Sequence, residues 1–317
     1  MAAHRPPPTA HRPPTYRPTD LPTYRPTDLP TYRPTDPSTH RPTDLMTPDF
    51  TIVTPSLGYG RFIGDCLASV AGQQGVTLEH RVIDAGSVDE TAEVVARFPH
   101  AVFVQEPDGG MSEGINKGFR AARGTWLMWL NADDRLKPGA LAAVKAHATT
   151  RPASDVIYGG WDFVREDGGF EKRMTVFPFQ RRMLSHLGCY IGSTACFFRR
   201  TTTVGEGHLL DENFRYVMDG EYLSRLAAAG KRFDYLPAVL AEFRRHGGNL
   251  SLRNRRGGGA AEWLKREKQW AESRTIRRAY GWTFFKNDHL NAVADAVLYY
   301  GFLGQKAWLK RWHGRER

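Results

Sequence analysis

Between Phe50 and Val164, apolar runs of strand length alternate with segments of helical period, a pattern that few folds other than an open α/β sheet can satisfy. "FTIVTP", "LEHRVIDAG", "AVFVQEP", "TWLMWLNADD" and "SDVIYGGWDFV" read as strands. "RFIGDCLASVAGQ" carries apolar residues at 62, 63, 67, 70 and 71 and reads as a helix. "SVDETAEVVARF", with Ser87 or Asp89 as its cap, "SEGINKGFRAA" and "GALAAVKAHAT" read the same way. The expected fold class is α/β, with a mostly parallel sheet covered by helices on both faces. In such sheets ligands bind beyond the carboxyl ends of the strands. Four of those ends are polar or acidic: Thr54–Pro55–Ser56, Asp84–Ala85–Gly86–Ser87, Asp108–Gly109–Gly110 and Asn131–Ala132–Asp133–Asp134.

The first turn admits two readings. Gly58, Gly60 and Gly64 between a strand and a helix, with Asp84 ending the next strand, approach a dinucleotide-binding fingerprint and would make the chain an NAD(P)-dependent oxidoreductase. In that fingerprint, however, the first glycine follows the strand at once, so that backbone meets pyrophosphate at the helix N-terminus. Here four residues, Thr54 to Leu57, intervene. An "NADD" at a strand end also has no use in dinucleotide binding.

Asp133 and Asp134 are two adjacent carboxylates held by the apolar run "WLMWL", and they repel unless a cation neutralises them. Hard divalent ions such as Mg²⁺ or Mn²⁺ take oxygen ligands and bridge to substrate phosphates. An Asx-turn with a helix cap before Pro138 is the alternative use of the same residues.

Taken in order and spacing, "VTPSLGYGRFIGDCLASVAGQ", "VIDAGSVDET", "EPDGGMSEGINKGFRAARG", "WLNADD", "MDGEYLSRLAAAG" and "FRRHGGNLS" resemble the inverting, nucleotide-sugar-dependent glycosyltransferases of family 2, of the bacterial O-antigen and exopolysaccharide type. The resemblance covers about residues 48–252 and implies a GT-A fold. It implies that Thr54, Pro55, Ser56, Asp84, Asp108, Asn116 and Lys117, with Asn131, Ala132 and Asp133, border the donor nucleotide, and that Asp133 and Asp134 hold Mg²⁺ or Mn²⁺. The first acid of the family's D-x-D motif is Asn131 here, which brings a carbonyl oxygen but no charge. Asp219, in "MDGEYLSRL", falls where the family places the general base, and an N-cap role is the alternative. Glu221 is implied in the diphosphate and acceptor region, and it also stands four residues before Arg225, the spacing of a helical ion pair. His246 and Arg245 are implied near the diphosphate, and His186, Ser193 and Thr194 near the acceptor. The implied reaction moves a sugar, UDP being the family's commonest carrier, to a hydroxyl of a glycan or polyprenyl-linked acceptor in cell-surface polysaccharide synthesis. A non-catalytic nucleotide-sugar-binding relative would be expected to lack the metal acids or the base, and all are present.

Three segments are expected. Residues 1–45 carry an octapeptide repeat, "TYRPTDLP", too rich in proline for helix or sheet and with little to bury, so an extended tail is expected. Met46 directly after it is also a candidate translation start. Residues 46–251 form the transferase domain, and 252–317 a helical, basic, aromatic-rich extension. The net charge of +10 is uneven: +9 of it lies in residues 252–317, while 46–251 sum to −1. Such a distribution does not suit a nucleic-acid binder. Basic residues interleaved with Trp263, Trp270, Trp282, Trp308 and Trp312 suit either an anionic membrane surface or a helical cap on the domain. Three cysteines without metal or disulfide spacing suit a reducing compartment. With no secretory signal and no run long enough to span a bilayer, a cytoplasmic protein is expected, peripheral on the inner face of the membrane.

Overall fold

The computed structural model describes residues 47–181, 183–184, 189–249 and 260–281, with scattered positions between 290 and 308. The octapeptide tail, His186, residues 250–259 and Trp282 and Trp312 lie outside the described residues.

The elements run β1 (Phe50–Ser56), α1 (Gly60–Ala71), β2 (Leu78–Asp84), α2 (Thr91–Val95), β3 (Ala101–Gln105), α3 (Met111–Arg120), β4 (Trp126–Trp129), β5 (Arg135–Leu136), α4 (Ala140–Thr150), β6 (Val156–Val164), β7 (Phe170–Met174), β8 (Cys196–Arg199), α5 (Met218–Ala228), β9 (Phe233–Arg244) and α6 (Ala260–Tyr280). They build one sheet in the order β3-β2-β1-β4-β8-β6-β9-β5, with β7 added to β6. The half β3-β2-β1-β4 is parallel, as the strand–helix alternation requires. Beyond β4 the sheet is mixed: β8 runs antiparallel to both β4 and β6, and β9 parallel to β6. The sequence expectation of a mostly parallel sheet holds, with the antiparallel β5, β7 and β8 as additions to it.

Strands β1 and β4 are buried along their whole length, which explains their uninterrupted apolar runs. Helix α3 lies close on β1 because it has a glycine at the contact: a Cβ on Gly118 would stand 2.4 Å from Val53 Cγ1. Trp129 stacks on Phe198 of β8 with ring planes 1° apart, and both rings pack against Tyr222 of α5. That aromatic layer joins the end of the parallel half to the helix that carries Asp219. Gly58 has φ +71°, a left-handed conformation that turns the chain from β1 into α1 and favours glycine.

Helix α2 is shorter than its pattern suggested, with Glu90 at its N-cap, and Asp89 just before it serves the chain around it. Its carboxylate accepts the Thr91 amide at 3.2 Å and, across the fold, the Gly60 amide at 2.9 Å. The N-terminus of α1 is thereby occupied, and Glu90 crowds it further, at 2.7 Å from where a Gly60 Cβ would sit. A pyrophosphate has no place there, which removes the structural basis of the dinucleotide reading.

Candidate active site

One cavity opens at the carboxyl end of the parallel half, walled by the ends of β1, β4 and β9 and by the start of α5. Of the sequence-derived candidates, Pro55, Asn131, Ala132, Asp133, Ser193 and Asp219 line it.

The "NADD" turn supplies one wall. Its chain is held by Arg244 of β9, a charged residue that is only 4% exposed. The Arg244 amide donates to Asp134 Oδ1 at 3.0 Å, its Nε to the Asp133 carbonyl at 3.1 Å, and its Nη1 to the Glu166 carbonyl at 2.8 Å. Its remaining nitrogen pairs with Asp65. These bonds satisfy a buried guanidinium and fix the turn. They also turn Asp134 away from the cavity, where Asn131 Nδ2 donates to its Oδ2 at 3.2 Å. Burial and the neighbouring Asp133 charge push the Asp134 carboxyl well above the usual carboxylate range. Asp134 thus builds the turn rather than facing a ligand.

Asp133 faces the cavity. Its Oδ2 accepts His246 Nε2 at 2.8 Å and Asn249 Nδ2 at 2.9 Å, leaving Oδ1 with no side-chain partner among the described residues. Burial raises its pKa, and the bond from His246 opposes that rise. The His246 ring sits 4.7 Å from Phe62 and 6.1 Å from Tyr59, and its Nδ1 accepts the Gly248 amide at 3.2 Å. That bond assigns the ring hydrogen to Nε2. Asn131 Oδ1 is buried with no hydrogen-bond partner, next to Asp133. An orphaned carbonyl oxygen and a carboxylate oxygen in one cavity fit a hard divalent cation. Among the described residues no three His, Cys, Asp or Glu side chains converge as a metal cage, so phosphates and water would complete the shell.

Asp219 lies across the cavity, in the first turn of α5. The Gly220 amide donates to its Oδ1 at 2.8 Å, and among the described residues no side chain donates to it. Burial raises its pKa, which makes this carboxylate a stronger base than an exposed one. Glu221 points elsewhere: it is buried against Arg225 at 2.8 Å and accepts the Tyr280 hydroxyl at 3.0 Å.

Several candidates stand differently from their expected places. Thr54 turns into the core, its hydroxyl bonded to His80 Nε2 at 2.9 Å, and burial with the nearby His100 holds that imidazole neutral with a pKa of about 3. Asp84 accepts Ser87 Oγ and the Gly86, Ser87 and Gln105 nitrogens. Burial raises its pKa but those bonds together bring it below the ordinary value, so this carboxylate shapes its own loop. Asn116 is buried and clamps the chain at Leu210, bonding both its amide and its carbonyl at 2.9 Å. Lys117 faces outward to Glu106, Glu113 and the Pro107 carbonyl. Asp108 accepts the Gly110 amide at 2.9 Å. Arg245 pairs with Glu171 of β7 instead of entering the cavity. Thr194 is buried behind Ser193. Ser56 Oγ is buried and without a partner at the end of β1, opposite Asp84 in register.

Sequence reasoning missed Tyr59, Arg215, Tyr216 and Asn249 as cavity residues. Asn249 had a visible signal, three residues after His246 in the same loop. Tyr59 was concealed between two glycines that read only as a turn. Nothing periodic marks Arg215 or Tyr216.

A carboxylate-bearing turn after the last strand of the parallel half and an acid on a later helix thus meet at one cavity, the arrangement expected of a GT-A glycosyltransferase. Residues 51–204 match the glycosyl transferase family 2 model, and this domain belongs to that family. The chain is 28% identical over 213 residues to a PGL/p-HBAD biosynthesis glycosyltransferase of Mycobacterium tuberculosis, covering 64% of this chain and 80% of that one. It is 26% identical over 215 residues to the chondroitin synthase of Pasteurella multocida, of which it spans only 22%. Among solved structures it is similar to S. aureus TarS 1–349 in complex with UDP-GlcNAc, with a TM-score of 0.56, 16% identity, and coverage of 73% of this chain and 71% of that one. It is also similar to the mannosyltransferase PcManGT of Pyrobaculum calidifontis in complex with GDP-Man and Mn²⁺, with a TM-score of 0.51, 18% identity, and coverage of 84% and 86%.

Proposed function

We propose that this glycosyltransferase transfers a sugar from a nucleoside-diphosphate donor, with inversion, to a hydroxyl of a glycan or lipid-linked acceptor. The observation that carries the reading is the meeting of Asp133, the unpartnered Asn131 oxygen and Asp219 in one cavity. The acceptor oxygen attacks the anomeric carbon as its proton passes to Asp219, and the bond from that carbon to the diphosphate oxygen breaks. The electron pair leaves with the nucleoside diphosphate. Mg²⁺ or Mn²⁺ held by Asp133 and Asn131 Oδ1 would supply Lewis-acid stabilisation of that leaving group. His246 Nε2 keeps its hydrogen and, by donating it to Asp133 Oδ2, orients that carboxylate toward the ion. Pro55 and Ser56, at the end of β1, are the proposed contacts of the nucleoside. Arg215, exposed at the cavity rim, adds a cation facing the charge that develops there.

The donors named with the two solved neighbours, UDP-GlcNAc and GDP-Man, support a nucleotide sugar, and the mycobacterial relative supports a glycolipid or polysaccharide product. Thermal-shift measurement against a panel of UDP- and GDP-sugars tests the donor. Stabilisation by at least one of them that requires Mn²⁺ is expected, and stabilisation by NAD(P) instead would contradict the reading.

A peripheral position at an anionic membrane is proposed for the C-terminal segment. Among the described residues no helix is long and apolar enough to cross a membrane. Helix α6 packs one face on the domain and exposes Trp263 and Trp270, seven residues apart, on the other. Replacing both by serine is expected to reduce co-sedimentation with phosphatidylserine vesicles several-fold, and unchanged sedimentation would leave α6 as a cap only.

A further inference from the structure

Helix α5 begins without a cap of its own. Val217 stands at its N-cap position and has no side chain to accept the free amides of the first turn. The chain entering the helix is held instead by Glu272, on α6, well beyond the family-matched residues. Glu272 Oε1 accepts the Arg215 amide at 3.1 Å, and Oε2 accepts the Tyr216 amide at 2.9 Å and the Val217 amide at 3.0 Å. One carboxylate thus holds three consecutive backbone N–H groups immediately before the catalytic helix. Charge-assisted bonds of this kind are stronger than neutral ones.

Two further contacts set α6 in register along α5. Ile276, one helical turn after Glu272, is buried, and its Cδ1 lies 3.8 Å from where a Cβ on Gly220 would stand. Tyr280, one turn further, donates its hydroxyl to Glu221. Residues 272, 276 and 280 share one face of α6, as a spacing of four requires. They touch the chain before Asp219 at Val217 and after it at Gly220 and Glu221. Arg215 and Tyr216 themselves line the cavity.

We propose that Glu272 is a positioning residue for the transfer reaction: by capping the start of α5 from a separate helix it fixes the direction of Asp219 and the cavity wall formed by residues 215–217. The proposal rests on Asp219 acting as the base. It makes the C-terminal helix part of the catalytic apparatus, although the family-defining segment ends before it.

The test compares full-length wild type, Glu272→Ala, Glu272→Gln and Asp219→Asn. The readouts are amide hydrogen exchange of peptides covering 215–217, the dissociation constant for UDP with Mn²⁺, and nucleoside-diphosphate release from a panel of UDP- and GDP-sugars. Glu272→Ala should speed exchange at 215–217 while leaving β1 and β4 protected. It should lower kcat by about tenfold or more with UDP affinity held within about twofold, because misdirection of the base affects only the transition state. Glu272→Gln keeps an oxygen for two of the three amides, is the variant least able to disturb folding, and should recover kcat to within about threefold of wild type. Unchanged exchange at 215–217 in Glu272→Ala overturns the capping role. Unchanged kcat, or kcat and UDP affinity falling together without rescue by glutamine, overturns the positioning role. Normal turnover by Asp219→Asn, by contrast, overturns the assignment of the base.

Discussion

Asp219→Asn is expected to lower kcat by about a thousandfold or more and to leave donor binding within about twofold of wild type, since loss of a general base costs on the order of 10²–10⁴. Asparagine has nearly the shape of aspartate and can still accept the Gly220 amide, so α5 should begin as before. What it cannot do is take the acceptor's proton. Burial raises the Asp219 pKa, and the base must be ionised to work. The rate should therefore rise with pH through a midpoint above the ordinary carboxylate range and then level. That acid limb should vanish from the residual activity of Asp219→Asn. A variant that turned over like wild type, or kept the same limb, would place the base elsewhere.

Asp133→Ala is the second large effect. Removing the carboxylate should cost at least about a hundredfold in Mn²⁺-dependent nucleoside-diphosphate affinity, because only one amide oxygen would remain to hold the ion. The fold should tolerate the change. The like charge beside buried Asp134 disappears, while His246 Nε2 and Asn249 Nδ2 lose an acceptor, and these opposing effects are each about 1–3 kcal/mol. Isothermal titration with UDP, with and without Mn²⁺, measures the first effect and thermal unfolding the second. Arg244→Ala should behave in the opposite way, because it strips the "NADD" turn of its internal support and should damage folding before it damages binding.

The parallel half of the sheet was legible in the sequence because β1 and β4 are buried on both faces, and a buried central strand is what an unbroken apolar run of that length ending in polar groups forms. The same signal could not separate β8 from those strands. "CFF" is equally apolar, yet β8 runs antiparallel, and strand direction leaves no mark on a buried run. At the site, Asp133 and Asp219 were legible as acids at a strand end and a helix start. Thr54, Asn116 and Lys117 were placed by motif position, and motif position does not say which way a side chain points. Thr54 serves His80, Asn116 ties down Leu210, and Lys117 faces outward. Arg244 reads from sequence as a solvated charge. It is buried because the backbone of the "NADD" turn and of Glu166 presents carbonyls that satisfy it, a three-dimensional circumstance with no local signal. The glycines of the β1–α1 turn pointed to a nucleotide, but Asp89 occupies the amide that a pyrophosphate would need.

The central claim is that phosphates are bound at Asp133 and not at that glycine turn. An anomalous difference map from crystals of the full chain grown with Mn²⁺ and UDP addresses it directly. A manganese peak within ligand distance of the Asp133 carboxylate is expected, with the diphosphate on it and Asp219 across the cavity. UDP bound with its phosphates against Gly58–Gly60, and no manganese at Asp133, would contradict it.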